Sequence, residues 1–382
     1  MNLTSRPISR RSLLRSTLLG GAGLAGAYLL SCDDGEGGPD TPDDHALTPN
    51  PTLFPQYGSE ELRLTWQALS PSGDPPPPRK DHSLVLRESG QLYLFAGRGD
   101  NGELADLWMY DIASATWTAL AGDGPAARHG HNAGWDYIND RMLVFGGQQG
   151  SAFFNDIWQY TPADDRWAEL APAGSLPEAR YGAGGTISAP ESGDTSAPFL
   201  PGQFLITHGF TANGRFDDTW AFDLATDRWS DVSPVDERPV KRCLMRATWD
   251  TLRNRLVIFS GQTDDEPFLD DFWTLSGSRD WTTVLREPRP TGRTFYSMVT
   301  DAERRQIVVF GGNTVNGATS ETWTFRIQDE FWVQEQAEGD GPAGRFGHDA
   351  VWVPESSSML VFGGEVGGDQ VNELWQLTIV DA

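Results

Sequence analysis

Hydrophobic residues in this chain come in short runs, each bounded by glycine, proline or other turn-forming residues. In one representative stretch the runs lie at residues 131–135, 141–145, 155–160 and 166–170. Runs of this length, rich in aromatic and β-branched residues, are typical of strands and too short for ordinary helices. The pattern predicts four antiparallel strands, which we call a, b, c and d in chain order.

This four-strand pattern recurs six times. Strand b ends each time in Phe-Gly-Gly or a near equivalent, and the last glycines follow one another at steps of 50, 62, 52, 51 and 52 residues. A fixed period of this size indicates a repeat architecture, and radial repetition of four-stranded sheets gives a propeller. We therefore predict an all-β, six-bladed β-propeller. The strand b endings are Phe95–Gly97, Phe145–Gly147, Thr207–Gly209, Phe259–Gly261, Phe310–Gly312 and Phe362–Gly364.

The last repeat lacks a strand d, and a matching strand lies at the other end of the domain. Residues 62–69 share the strand d pattern of residues 116–120, and a proline-rich stretch follows them. We expect this strand to join the last blade and close the ring, which leaves no open sheet edge between the first and last blades.

The combined motif resembles the Kelch repeat. Its elements are Arg-x-x-His, Phe-Gly-Gly, Asn/Asp-Asp-Leu-Trp-x-Tyr-Asp and a second Trp, and they cover roughly residues 61–380. The resemblance implies a propeller of four-stranded blades. It is less informative about function, because that family includes partner-binding scaffolds, sugar-binding proteins and a few enzymes.

The N-terminal residues resemble a bacterial export signal. Residues 9–15, which include Arg10 and Arg11, resemble a twin-arginine motif, and an apolar stretch follows that is too short to span a membrane comfortably. Leu29–Cys32 resembles a bacterial lipoprotein processing site, so we expect Cys32 to carry the lipid. The predicted organisation is a signal peptide at residues 1–31, a lipidated Cys and disordered tether at 32–60, and the propeller at 61–382.

Charge and cysteine content narrow the function. The formal net charge of −25 argues against nucleic acid and against binding of the domain itself to anionic lipid. The chain has 2 cysteines, Cys32 and Cys243. With Cys32 lipidated, no disulfide framework is expected.

Each repeat also carries an arginine at the start of strand a and an acid at the start of strand c. Both starts lie at the same end of an antiparallel sheet, so charge-assisted pairing is expected. Because every blade has the pair, we interpret it as structural rather than as a functional ring. The arginines are Arg79, Arg128, Arg180, Arg242, Arg293 and Arg345, and the acids are Asp106, Asp156, Asp218, Asp271, Glu321 and Glu373.

The position directly after each arginine varies while its neighbours repeat, so the fold leaves it free for recognition. We expect it near the mouth of the central channel, beside the strand b to c loops, whose aromatics would be exposed anchors or would pack onto the next blade. This candidate binding face comprises Lys80, His129, Tyr181, Cys243, Thr294, Phe346, Phe153, Phe154, Phe216 and Phe268.

Neither a metal nor a cofactor is predicted. His82, His131 and His348 fill one repeated position, but Ala183, Met245 and Tyr296 replace them in the other blades, which favours packing over metal binding.

Common hydrolase and phosphate-binding motifs are missing from the sequence. The prediction is an envelope lipoprotein, assumed monomeric, that binds a protein or a glycan. The alternative is an enzyme acting on a sugar or small organic substrate at the channel mouth.

Overall fold

Runs of branched and aromatic residues form the central strands of the structure, where both faces of a sheet are covered. The strand b segments Arg141–Phe145 and Arg255–Phe259 are buried along their whole length. Such strands read as continuous apolar runs rather than as an alternation of apolar and polar residues. The computed structural model describes residues 62–120, 122–188, 202–277 and 280–382. The predicted export motif with Arg10 and Arg11, the predicted lipidation site Cys32, the predicted tether and residues 189–198 lie outside the described residues.

The first half of the described chain contains the opening strand and three repeats. The strands are β1 (Leu62–Leu69); β2 (Ser83–Arg87), β3 (Gln91–Gly99), β4 (Gly102–Asp111) and β5 (Thr116–Leu120); β6 (Asn132–Asp136), β7 (Arg141–Phe145), β8 (Gln148–Gln149), β9 (Ala152–Phe153), β10 (Ile157–Thr161) and β11 (Arg166–Glu169); β12 (Gly184–Ser188), β13 (Gln203–Thr207), β14 (Phe210–Thr211), β15 (Gly214–Arg215), β16 (Thr219–Asp223) and β17 (Arg228–Asp231).

The second half contains three further repeats and one turn of 3-10 helix at Pro354–Ser356. The strands are β18 (Arg246–Asp250), β19 (Arg255–Phe259), β20 (Phe272–Leu275) and β21 (Trp281–Thr283); β22 (Arg293–Thr294), β23 (Ser297–Asp301), β24 (Gln306–Phe310), β25 (Asn313–Thr314), β26 (Gly317–Ala318), β27 (Thr322–Arg326), β28 (Phe331–Glu335) and β29 (Ala337–Glu338); β30 (Asp349–Val353), β31 (Ser358–Phe362), β32 (Glu365–Val366), β33 (Asp369–Gln370) and β34 (Leu374–Asp381).

These strands form six larger sheets within the described residues, one for each repeat, and their strands pair antiparallel except for β29, which pairs parallel with β1. Five sheets have the order a-b-c-d, as in β2-β3-β4-β5. In the sixth sheet, β1 occupies the strand d position: it pairs antiparallel with β34 from Leu62 opposite Asp381 to Leu69 opposite Leu374. Strand a lies at the edge of every larger sheet. Among the described residues, no helix is long and apolar enough to cross a membrane.

The cores lie between sheets rather than within one. Each of six buried clusters combines residues of two consecutive repeats, and one cluster joins the sixth repeat to the first, where Phe362 packs beside Leu84. The strand d tryptophans are buried in these clusters, and burying such a side chain stabilises a fold by roughly 1.5–3 kcal/mol or more. They are Trp66, Trp117, Trp167, Trp229, Trp281 and Trp332.

The glycine that ends strand b adopts positive φ in all six repeats. At Gly147, φ is +97° and an added Cβ would lie 2.9 Å from the Cβ of His131. The N–H of Gly147 donates to the carbonyl of Arg180 in the next repeat, at 2.8 Å. The same bond recurs at all six junctions and ends with Gly364 donating to Arg79. The glycines thus allow consecutive sheets to approach closely enough to hydrogen bond.

Candidate functional site

Each of the six repeated arginines is buried and pairs with the acid of its own repeat, and we call this pair the clamp. Arg128 is fully buried; its Nη1 and Nη2 donate to Asp156 at 2.7 and 2.8 Å, and its Nε donates to the carbonyl of Ala126. Nη1 also donates to the carbonyl of Gly146, which joins strand a to the end of strand b. A bidentate, charge-assisted fork of this kind fixes geometry as well as contributing energy. The structure brings together every arginine and acid that the sequence pairs.

Each clamp acid is also held by a tryptophan two residues further along. Trp108 Nε1 donates to Asp106 at 2.7 Å, and the other repeats have the same bond. Burial alone would raise the pKa of Asp106, but the hydrogen bond and charge of Arg79 outweigh it, so this pKa lies below its ordinary value. The four aspartates receive two arginine contacts each, whereas Glu321 and Glu373 receive one.

The sequence left open whether the loop aromatics are exposed or pack onto the next blade, and two of them pack onto the arginine of their own repeat. The Phe154 ring lies 4.2 Å from the Arg128 guanidinium, and the Phe216 ring lies 4.2 Å from that of Arg180. Phe153 packs on Phe210 with ring centroids 5.8 Å apart. The rings of Phe154 and Phe216 thus cover the clamp arginines, and Phe153 and Phe268 are likewise half-buried. The contact of Phe153 with Phe210 is the packing onto the next blade that the sequence left open as the alternative.

The variable position after each arginine forms a short antiparallel bridge to the residue after the strand b glycine, for example His129 to Gln148. His129, Cys243 and Thr294 are 7, 2 and 2% exposed, so they offer little surface to a partner. Lys80, Tyr181 and Phe346 are half-buried. The predicted face is therefore mostly covered at this position.

Among these side chains, Lys80 makes both an ion pair and a cation–π contact. Its Nζ lies 2.6 Å from Glu365 and 5.4 Å from the centre of the Phe346 ring, both in the sixth repeat. His129 and Tyr181 contact each other similarly, with ring centroids 5.1 Å apart. These contacts link consecutive repeats.

The next position along the chain builds a ring that the sequence did not reveal. The N–H of each residue donates to the carbonyl of its counterpart in a neighbouring repeat, at 2.7–3.3 Å, and the sixth bond returns to the first residue. All six residues have φ between 54° and 70°. Glycine occupies three of these positions, which is the one sequence signal for the requirement. The ring residues are Asp81, Gly130, Gly182, Leu244, Phe295 and Gly347.

This hydrogen-bonded ring narrows the central channel at one end. We call that end the loop face, because the b to c and d to a connections lie there, and the opposite end, with the a to b and c to d turns, the turn face. The cavity beside the ring has a volume of about 40 Å³. Toward the turn face the channel widens to about 420 Å³, between the strand a segments from Ser83 to Glu88 and from Asp349 to Trp352. The variable positions directly precede the ring residues at this narrow end, and the binding role expected for them stays a prediction.

The repeated histidines pack between sheets. The rings of His82, His131 and His348 lie 5.2–5.5 Å from the strand b phenylalanine of the preceding repeat. Burial holds the pKa of each well below its ordinary value, so each is neutral at physiological pH. The described residues contain no group of three or more His, Cys, Asp or Glu placed to hold a metal ion.

Cys243 is a buried thiol whose pKa is raised by burial. The amide of Gln262 lies 3.8 Å from its sulfur. A raised pKa keeps the thiol protonated, which is the opposite of what a nucleophile needs.

One ion pair in the channel departs from the repeat. Arg246 Nη2 lies 3.4 Å from Asp349, and the two residues belong to the fourth and sixth repeats. Burial raises the pKa of Asp349, and the charge of Arg246 opposes that rise. Neither residue was singled out from the sequence, although each has a charge at the first position of strand a, where the other repeats have a small or amide side chain.

Comparison with known proteins identifies the family. A family model described as the KLHDC2/KLHL20/DRC7 Kelch-repeats domain matches residues 59–250 and 236–382. The chain belongs to the Kelch-repeat family. The sheets are therefore those of a Kelch β-propeller, and the clamp and glycine positions are its repeated elements.

Three curated Kelch relatives show how far the likeness extends. The Leucine-zipper-like transcriptional regulator 1 homolog of Drosophila melanogaster is 22% identical over 75% of this chain and 29% of its own length. The human Leucine-zipper-like transcriptional regulator 1 is 26% identical over 75% of this chain and 34% of its own length. The Rab9 effector protein with kelch motifs of Xenopus laevis is 31% identical over 30% of this chain and 40% of its own length. This chain thus spans less than half the length of each of these relatives.

Proposed function

We propose that this protein is an exported lipoprotein of the cell envelope whose closed, six-bladed propeller binds a protein partner through its loop face. Arg10 and Arg11 direct export, Cys32 carries the lipid, and residues 33–60 are a tether. Closure is supported by the pairing of β1 with β34 and by the return of both sets of inter-sheet hydrogen bonds to the first repeat. A Kelch relative named as a Rab9 effector lends support to a protein as the partner.

The observation that carries the binding proposal is the distribution of exposed apolar side chains. Among the residues that the structure describes, eight large hydrophobic side chains are exposed, and five of them lie in loop-face connections, including Val235 at 95% and Val315 at 75%. Side chains this exposed contribute nothing to the core, and an apolar surface gains free energy when a partner covers it. The other three loop-face residues are Leu176, Val240 and Leu285.

Binding is tested with the full chain, solubilised in detergent and immobilised. Wild type is compared with Val235→Asp/Val315→Asp and with a matched control on the turn face, Ile138→Asp, which alters a side chain that is 49% exposed. We expect wild type and control to capture the same envelope protein, identified by mass spectrometry, and the loop-face variant to lose it. The purified partner should then show at least a tenfold weaker Kd for the loop-face variant.

Two outcomes contradict the proposed binding. Equal capture by all three proteins excludes the loop face as the site. Capture of a glycan, released by glycosidase and unaffected by protease, replaces the protein partner with a carbohydrate one.

Export and anchoring are tested separately. We expect Cys32→Ser to move the protein from the detergent phase to the aqueous phase after cloud-point separation, and replacement of Arg10 and Arg11 by Lys to stop export. A Cys32→Ser protein that stays in the detergent phase would show that Cys32 does not carry the anchor.

A further inference from the structure

The fourth residue after each clamp arginine is the first residue of strand a, and four of the six line the wide channel cavity: Ser83, Asn132, Arg246 and Asp349. Four repeats have a small or amide side chain there, and two have a charge. The six residues are Ser83, Asn132, Gly184, Arg246, Ser297 and Asp349. A repeated fold does not require charge at two of six equivalent places, so these two residues need another explanation.

The guanidinium of Arg246 makes its contacts through Nε and Nη2. Its Nε donates to the carbonyl of Tyr296 at 2.9 Å, and its Nη2 donates to the carbonyl of His348 at 3.2 Å. Nη2 also lies 3.4 Å from Asp349. In the described part of the chain Nη1 has no hydrogen-bond partner, and the side chain is 29% exposed. One charged donor edge therefore remains open to the channel.

Both carboxylate oxygens of Asp349 already have a partner. Its Oδ1 faces Arg246, and its Oδ2 accepts the N–H of Leu84 at 2.9 Å. Of the other carboxylates that line the two cavities, Asp81 lies in the hydrogen-bonded ring beside the narrow one, and Glu88 lies at the exposed end of the wide one. Arg246 is the cation that lines the wide part, and its open Nη1 is a donor, which selects a ligand that accepts.

The channel is shaped to admit a ligand from the turn face only. It has about 420 Å³ on that side of Arg246 and about 40 Å³ on the loop-face side. The larger volume lies in the usual range of small-molecule sites, whereas the smaller one holds a few water molecules. The amide of Asn132 adds a second polar group: it lies against Gly185, where an added Cβ would be 2.6 Å from the Asn132 Oδ1. Strand a is the sheet edge, so its outward peptide groups have no ladder partner.

We propose that the wide part of the channel binds a small organic acid whose carboxylate accepts a hydrogen bond from Arg246 Nη1. A charge-assisted bond to a carboxylate is stronger than one to a neutral carbonyl, so the acid is preferred over its amide. The net charge of −25 slows the approach of an anion. Screening limits that effect to about 8 Å at physiological ionic strength, so the contact with Arg246 decides affinity.

The test compares benzoate with benzamide, which share one carbon skeleton. Saturation-transfer NMR and titration calorimetry on the full chain measure the Kd of each. We expect benzoate to bind and benzamide to bind at least tenfold more weakly. Binding of both with equal Kd, or of neither, overturns the proposal.

Two variants locate the site. Arg246→Gln should weaken benzoate at least tenfold, and Thr186→Phe should do the same by filling the channel without altering Arg246. The matched control is Arg98→Gln, an exposed arginine on the loop face, which should bind benzoate as wild type does. Urea unfolding checks that each variant is folded. Benzoate binding that survives in folded Thr186→Phe overturns the proposal even if Arg246→Gln fails to fold.

Discussion

Two arginines four residues apart, Arg242 and Arg246, have opposite relations to the repeat. Arg242 is fully buried, and its three nitrogens donate to Val240, Ser260 and Asp271 at 2.5–3.1 Å. Arg246 is partly exposed, occurs in one repeat and leaves Nη1 open. The arginine that every blade repeats builds the blade, whereas the one that breaks the repeat lines a cavity. In a repeat protein, function is therefore best sought where the pattern fails.

The largest expected effect contrasts these two residues directly. Arg242→Met leaves Asp271 partly buried without a counter-charge, which should cost about 3–5 kcal/mol of unfolding free energy. Arg246→Met should cost less, about 2 kcal/mol, because its group is partly hydrated and Asp349 keeps the Leu84 N–H. Urea denaturation of both variants gives the two numbers. Equal losses would mean that the open arginine is as structural as the clamp.

The hydrogen-bonded ring supplies the next comparison. At Gly130, φ is +61° and an added Cβ would lie 2.0 Å from the Tyr181 ring; at Gly150, φ is +55° and nothing lies within 4 Å. Gly150→Ala should cost about 1 kcal/mol from the positive φ alone. Gly130→Ala should cost about 3 kcal/mol, because the ring of Tyr181 must also move. The two unfolding free energies separate backbone strain from crowding, and similar values would argue against a tight ring.

The six clamps themselves are unequal. Asp271 receives two arginine contacts and its side chain is 23% exposed, whereas Glu373 receives one and is 50% exposed. We expect Asp271→Asn to lower the unfolding free energy by about 2 kcal/mol. Glu373→Gln should lower it by less than about 1 kcal/mol, because an exposed ion pair is weak. Denaturation in low and high salt should affect the Glu373 pair more.

The last comparison is a pH dependence within the ring. Burial raises the pKa of Asp81 from 3.8 to about 6, and the charges of Lys80 and Arg246 partly oppose the rise. Between these values the folded protein holds a proton that the unfolded chain has lost, so this group's contribution to stability falls as pH rises from about 4 to 6.

Asp81→Asn removes that contribution and tolerates positive φ. The Tm of the variant minus the Tm of wild type should therefore be larger at pH 7.5 than at pH 4.5. A Tm difference that does not change with pH would show that Asp81 keeps its ordinary pKa.

Strands, sheet order and the pairing of each arginine with its acid follow from the sequence, because apolar runs and charged positions recur at fixed spacing. The hydrogen-bonded ring could not be predicted. All six of its positions have positive φ, but only glycine signals that requirement in a sequence, and Asp81, Leu244 and Phe295 occupy three of the six. The burial of Phe154 could not be foreseen either, because a hydrophobic loop residue looks the same whether it faces solvent or covers Arg128. The width of the channel at each end depends on the ring and escapes prediction for the same reason.

The pairing of Leu62 with Asp381 determines where the polypeptide enters the propeller. Strand c runs from the loop face to the turn face, so Asp381, and with it Leu62, lies at the turn face. The start of β1 therefore lies on the same face as the wide end of the channel, and the exposed apolar side chains of the loop face lie on the opposite side of the propeller.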